Sequence, residues 1–168
     1  MVRALLVASI AAFIGEPTLP AFARAAAGAA AIATLLDGVD GWLARRTRMA
    51  SAFGARFDME TDALLIQVLA ILAWQYGKAG AWVLTSGLLR YVFVAAGRLW
   101  PWMQEPLFAS VRRKTICIVQ IAGLTLTILP EIPPPYSAQL AAASLAALAY
   151  SFLVDTVWLW RRAAESRG

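Results

Sequence analysis

Long apolar runs alternate with short polar breaks along the whole chain, and this pattern predicts a bundle of helices. The runs cover residues 4–15, 21–44, 54–76, 81–99, 115–129 and 138–160. An α-helix needs about 20 apolar residues to cross the hydrocarbon core of a bilayer, which is about 30 Å thick. We therefore predict an all-α integral membrane protein in which six transmembrane helices form a single domain over residues 1–168.

The first run, from Ala4 to Gly15, is shorter than the others. As a helix it would be only about 18 Å long. A secretory signal is the alternative interpretation, but no convincing small-residue cleavage site precedes the charged and proline-rich sequence GEPTLP. We interpret this run as the C-terminal part of a first spanning helix. In this interpretation, the N-terminal part of that helix is absent because the start of the chain is missing or misassigned.

The composition supports a membrane location. Hydrophobic residues make up 61% of the 168 residues and charged residues 15%, and the mean hydropathy is +0.66. Typical soluble domains are about 25% charged. The sequence has no histidine, which excludes both catalysis by histidine and metal ligation by histidine. Its single Cys117 excludes an internal disulfide framework. Because Cys117 lies in an apolar run, a packing role is favoured.

The formal net charge of +5 indicates membrane topology rather than nucleic-acid binding. If six helices alternate, one set of loops holds Glu16, Lys78 and Glu131. The opposite set holds most of the basic residues, namely Arg45, Arg46, Arg48, Arg56, Arg98, Arg112, Arg113, Lys114, Arg161, Arg162 and Arg167. Cytoplasmic loops are enriched in Lys and Arg. We therefore place both termini on the cytoplasmic side of the inner membrane.

Four aspartates interrupt the apolar pattern between residues 35 and 65. At about 100° per residue, helical positions that share a face can be read from their spacing. The positions on one face of the second helix are Asp37, Asp40, Gly41 and Ala44. Those on one face of the third helix are Gly54, Asp58 and Asp62. The two acidic faces can meet, whereas Glu60 should face away from them.

Carboxylates in a membrane protein are costly unless they are compensated. Four of them held close together repel one another, so a stable arrangement needs bound cations, and all-oxygen ligation favours hard ions such as Mg²⁺ or Mn²⁺. Such ions suggest a phosphate-bearing ligand, which could approach the backbone at Gly41 and Gly54 and pair with Arg45. The alternative is that the aspartates are ordinary helix-end charges at a membrane surface, and their cost disfavours it.

The spacing of these residues resembles a known family signature. It reads Asp37-xx-Asp40-Gly41-xx-Ala44-Arg45, then eight residues, then Gly54-xxx-Asp58-xxx-Asp62. This is similar to the complete signature of the CDP-alcohol phosphatidyltransferases. Arg3 resembles the last residue of an Asn- and Thr-containing segment that precedes the first helix in that family.

The resemblance implies an enzyme of phospholipid biosynthesis. An alcohol hydroxyl would attack the β-phosphorus of a CDP-alcohol lipid, with CDP-diacylglycerol as the expected donor, and CMP would leave. By analogy, two Mg²⁺ or Mn²⁺ ions would be held by Asp37, Asp40 and Asp58. Asp62 would be the catalytic base and an additional ligand. The residues that would line the CDP site are Gly41, Ala44, Arg45 and Gly54. The resemblance also implies a homodimer.

The acceptor alcohol is less strongly indicated. A basic cluster near the same membrane face consists of Arg90, Arg98, Arg112, Arg113 and Lys114. An acceptor with its own phosphate would need such partners, which favours glycerol 3-phosphate or an inositol phosphate over a neutral amino alcohol. For Arg112 and Arg113, a role in fixing the membrane topology is an equally good alternative to acceptor binding. Asp155, two turns before Arg162, is interpreted as a paired interfacial charge outside the site.

Two rival functions differ from an active transferase. A divalent-cation carrier could bind ions through the same carboxylates, but it would not need Gly41, Ala44, Arg45 and Gly54 at nucleotide-binding positions. A degenerate relative without activity is the second rival. The intact signature argues against it.

Overall fold

Six helices make up most of the chain, as the apolar runs predict. The computed structural model describes residues 2–47, 52–104 and 111–165, and these contain no strand. The helices are α1 (Val2–Ala11), α2 (Pro20–Thr47), α3 (Ala52–Gln75), α4 (Thr85–Leu99), α5 (Val111–Thr127) and α6 (Tyr136–Glu165). Short 3₁₀ turns cover Ala81–Leu84 and Pro101–Gln104. The prediction of an all-α protein is confirmed.

Two helix starts, those of α4 and α5, differ from the predicted ones by four residues. The run that begins at residue 81 starts with a 3₁₀ turn, and α4 proper begins at Thr85. Helix α5 begins at Val111 instead of Thr115, so Arg112, Arg113 and Lys114 lie in its first turn and not in a connection. Arg112 is held there by partners on α6, which stabilise the additional turn.

Helices α3 and α5 form the centre of the bundle. Helix α3 packs against α1, α4 and α5, and α5 also packs against α2 and α6. The core between them is formed by fully buried side chains that recur every three or four residues, as one face of a helix requires. They include Leu65, Leu69 and Leu72 of α3, Leu124 of α5, and Ile128, which directly follows α5. In a membrane protein such side chains stabilise the bundle through close van der Waals packing between helices.

Helix α2 joins this core through alanines instead of large side chains. Ala26, Ala27, Ala30 and Ala33 are all buried. Small residues let helix backbones approach closely, which is how membrane helices gain van der Waals contact where lipid is as apolar as the protein. Stretches of α2 and α6, Pro20–Gly41 and Tyr136–Ala164, are long and apolar enough to cross a bilayer.

The loops at the end of the bundle opposite the aspartates are tied together by polar contacts. Gly77 has φ +65° and ends α3, with its N–H and that of Lys78 donating to carbonyls of Trp74 and Ala73 at 3.0 and 2.9 Å. The Lys78 ammonium then donates to the carbonyls of Leu129 and Ile132, both at 2.8 Å. The segment after α5 is thereby fixed against the turn after α3.

An ion pair fastens the same end to α2. Arg24 donates to the exposed Glu131 carboxylate at 2.7 Å, and this hydrogen bond lowers the pKa of Glu131. Glu131 and Lys78 therefore lie together, as expected for loops on one side of an alternating bundle.

Helices α5 and α6 cross closely at Gly123. A β-carbon at this position would lie 2.7 Å from Cβ of Ser144. We expect Gly123→Ala to lower the free energy of unfolding by about 1–3 kcal/mol, because the added methyl group overpacks the crossing. Thermal unfolding in detergent, followed by circular dichroism, measures the change.

Gly28 provides the matched control, because a β-carbon there would meet no atom within 4 Å. Gly28→Ala should be neutral or stabilising by up to about 1 kcal/mol, since alanine is the better helix former. Equal losses from both substitutions would contradict the close crossing.

Candidate metal centre and cavity

Three of the four aspartates, one from α2 and two from α3, converge at one site. Asp37 lies in the second half of α2, and Asp58 and Asp62 lie one turn apart near the start of α3. One carboxylate oxygen from each residue lies within 4.8 Å of the other two. The i, i+4 spacing places Asp58 and Asp62 on one face of α3, and that face is turned toward Asp37.

A guanidinium group lies among these carboxylates. Arg3, near the start of α1, is only 7% exposed, and its Nη1 and Nη2 donate to Asp58 and Asp62. Nη1 is also 3.0 Å from an Asp37 oxygen. Lys114 approaches the other Asp37 oxygen at 3.5 Å. The carboxylates are thus compensated by two side-chain cations, Arg3 and Lys114. Arg3 is buried, as Asp37 is.

The donor set fits a hard divalent cation. It consists of oxygens from three carboxylates that are close enough to share an ion. The group includes no sulfur or nitrogen ligand. The buried position of Asp37, at 7% exposure, further increases the need for a positive charge nearby.

Of the remaining signature residues, Asp40, Gly41 and Gly54 belong to the described part of the chain. Asp40 is exposed one turn after Asp37 and is not part of the three-carboxylate group. Gly41 is half-buried, and Gly54 is exposed at the start of α3. The side chains of Ala44 and Arg45 lie outside the described part of the chain.

A cavity of about 620 Å³ extends from the three aspartates between α3, α4, α5 and α6. Its wall is largely apolar, with Ile66, Ile121, Leu148 and Phe152 among the lining residues. Asp37, Asp58 and Asp62 line its acidic end. Carboxylates next to a deep apolar wall suit a ligand that is charged at one end and oily at the other.

Three members of the predicted basic cluster also line the cavity, namely Arg90, Arg113 and Lys114. Arg90 donates to Glu60, which is not part of the three-carboxylate group. Arg98 is exposed in the last turn of α4 and does not line the cavity.

Asp155 is a cavity residue that sequence reasoning left out. It is 3% exposed, and it accepts a hydrogen bond from Nη2 of Arg112 at 2.5 Å. Nη1 of Arg113 lies 3.8 Å from the same carboxylate. Nη1 of Arg112 also donates to the carbonyl and hydroxyl oxygens of Ser151, each at 2.9 Å. The interpretation of Asp155 as a paired charge is confirmed, but the pair lies at the cavity.

The thiol of Cys117 also faces this cavity. Its Sγ lies 3.9 Å from an Asp62 oxygen. The apolar sequence around Cys117 gave no signal for this position, because the rotation of α5 relative to α3 determines it.

The family model for CDP-alcohol phosphatidyltransferase matches residues 1–158, which is nearly the whole chain. The chain belongs to the CDP-alcohol phosphatidyltransferase family. No curated protein and no solved structure matches it significantly. Family membership makes the protein a transferase of substituted phosphate groups in a membrane-integral family, and it favours this function over a cation carrier.

Proposed function

We propose that this CDP-alcohol phosphatidyltransferase moves the phosphatidyl group of CDP-diacylglycerol to a hydroxyl of a small polar alcohol and releases CMP. The observation that carries the proposal is the convergence of Asp37, Asp58 and Asp62 at the acidic end of an apolar-walled cavity. A lipid donor has the matching chemistry, with a charged diphosphate at one end and acyl chains at the other.

Asp37, Asp58 and Asp62 would hold the divalent ions, with Asp40 as the fourth ligand. Two Mg²⁺ or Mn²⁺ ions would neutralise the diphosphate and stabilise the charge that develops on the leaving phosphate. Asp62, whose second oxygen faces the cavity wall at Cys117, is our candidate for the base that takes the acceptor hydroxyl proton. Its proximity to the other two aspartates supports its additional role as a ligand.

The cytidine diphosphate would be bound by the remaining signature residues, Gly41, Ala44, Arg45 and Gly54. Gly41 and Gly54 leave room for close approach of the nucleotide to the backbone, and Arg45 would pair with phosphate oxygens. Positioning the donor against the acceptor supplies much of the rate enhancement in phosphoryl transfer.

The acceptor would bind at the basic part of the cavity. Arg90, Arg113 and Lys114 line it, and Arg112 lies beside Arg113 with Asp155. These cations favour an acceptor that carries a phosphate, so we propose glycerol 3-phosphate, with an inositol phosphate as the alternative. Arg98 is exposed and lies outside this proposed pocket.

The proposed membrane arrangement has six spans, with the aspartates and both termini on the cytoplasmic side of the inner membrane. The contacts of Lys78 and Glu131 at the other end of the bundle support this alternation. A homodimer is proposed from family membership alone.

CMP release tests this function. The full-length chain in lipid would be given Mg²⁺ or Mn²⁺, CDP-diacylglycerol and a panel of acceptors that includes glycerol 3-phosphate, an inositol phosphate and a neutral amino alcohol. We expect CMP with a phosphate-bearing acceptor and none in chelator. CMP with the neutral alcohol alone would overturn the acceptor assignment, and no CMP with any acceptor would favour the degenerate relative.

Cys117 offers an assay of ligand binding that does not depend on turnover. Its thiol is the only one in the sequence and lines the cavity. We expect Mn²⁺ with a CDP-alcohol to slow its alkylation by a small maleimide, because the ligand would cover the thiol. Mass spectrometry measures the rate, and the same rate with and without ligand would place the ligand elsewhere.

A further inference from the structure

Arg3 has a position that the proposed transfer reaction does not use. It is buried at 7% exposure and contacts all three converging carboxylates, those of Asp37, Asp58 and Asp62. Its Nε is buried without a hydrogen-bond partner among the described residues. The guanidinium therefore lies here because of the surrounding carboxylates.

The guanidinium and a divalent ion would compete for the same oxygens. Hard divalent ions lie about 2.0–2.6 Å from their carboxylate ligands. Nη1 of Arg3 is in contact with oxygens of both Asp37 and Asp58, and Nη2 with one of Asp62. An ion shared by these three carboxylates would overlap the guanidinium and repel its charge.

We propose that Arg3 is the built-in counter-ion of the metal-free site and leaves the carboxylates when divalent cations bind. Arg3 is in this sense a positioning residue, which acts through Asp37, Asp58 and Asp62. The proposal rests on the metal centre of the proposed function. It implies that Arg3 stabilises the metal-free protein and weakens metal binding, because the ion must displace a favourable contact.

The location of Arg3 permits this exchange. It is in the first turn of α1, and its long side chain has several rotatable bonds between the backbone and the guanidinium. The unpartnered Nε makes its buried arrangement less favourable than a fully hydrogen-bonded one. A second cation, Lys114, lies 3.5 Å from the other Asp37 oxygen and would still be near this carboxylate when Arg3 leaves.

The test is Mn²⁺ binding to Arg3→Gln, measured by isothermal titration calorimetry on the full chain in detergent, together with thermal unfolding in chelator and in saturating Mn²⁺. We expect Arg3→Gln to bind Mn²⁺ about tenfold more tightly, within the usual range of coupling between linked sites. Its unfolding midpoint in chelator should fall, and the gain from Mn²⁺ should be larger than in the wild type.

Arg24→Gln is the matched control, since Arg24 pairs with Glu131 at the other end of the bundle. It should leave the Mn²⁺ affinity unchanged. Arg3→Lys tests the geometry and replaces Arg3→Gln if that variant does not fold. A lysine point charge cannot bridge carboxylates as a guanidinium does, so metal-free stability should again fall and Mn²⁺ affinity rise.

The outcomes separate this proposal from the metal centre itself. Equal or weaker Mn²⁺ binding by both Arg3 variants overturns the counter-ion role alone. No Mn²⁺ binding by the wild type or by either Arg3 variant overturns the metal centre. Binding that appears only in the variants supports strong competition by Arg3.

Discussion

Replacing Asp58 by Asn will abolish CMP release while the helix bundle stays folded. Asp58 is one of three carboxylates that share a possible ion, and its side chain is 42% exposed toward the cavity, so the loss should not disturb the core. Losing one preorganised charge-stabilising group typically costs about 10²–10³ in rate. We expect at least this reduction in kcat, measured as CMP release at saturating donor and acceptor.

Two substitutions serve as controls for Asp58→Asn. Glu131→Gln removes a carboxylate at the other end of the bundle and should leave kcat unchanged. Glu60→Gln removes a carboxylate that lies two residues after Asp58. This carboxylate pairs with Arg90 and is not part of the aspartate group. Any effect of Glu60→Gln should fall on the acceptor KM. Equal losses of kcat from Asp58→Asn and Glu60→Gln would refute the assignment of helix faces.

The helices could be predicted because their signals are local. An apolar run between prolines and glycines is a property of neighbouring residues, as at the Pro133 to Pro135 stretch that is followed directly by α6. The spacing of Asp58 and Asp62 also predicts a shared face from local geometry alone. The meeting of that face with Asp37 could be expected because uncompensated carboxylates in a membrane protein need a common cation.

The pairing of side chains distant in the sequence could not be predicted in the same way. Arg3 lies 55 residues from Asp58, and Arg112 lies 43 from Asp155. Such contacts depend on how each helix is rotated and on how far a side chain reaches. A sequence shows how many charges exist, but it does not show which of them neutralise one another.

This difference changes the interpretation of the basic cluster. From the sequence, Arg90, Arg112 and Arg113 appear as cations available to a phosphate. In the structure Arg90 pairs with Glu60, and Arg112 pairs with Asp155. Each acid holds a guanidinium at the cavity or directly beside it, so acceptor binding should depend on the acids as well as on the arginines.

Asp155→Asn is expected to destabilise the protein and weaken acceptor binding. Asp155 is nearly fully buried, and its carboxylate accepts the hydrogen bond of Arg112 at 2.5 Å. Removing one partner of a buried ion pair costs about 3–5 kcal/mol. Because asparagine retains an acceptor and Arg112 is partly exposed, we expect about 2–4 kcal/mol by thermal unfolding. The acceptor KM should rise about tenfold, since Arg112 and Arg113 lose their fixed orientation.

Two further variants distinguish loss of charge from loss of packing at Asp155. Ser151→Ala removes a hydrogen bond to the same Arg112 without changing charge, and it should cost only about 1 kcal/mol. The double variant Asp155→Asn with Arg112→Gln should be more stable than Asp155→Asn alone, because it no longer buries an unpaired cation. If the losses from Asp155→Asn alone and from Arg112→Gln alone simply add in the double variant, the ion pair contributes nothing specific. If stability falls while the acceptor KM is unchanged, Asp155 supports the fold and does not orient the acceptor site.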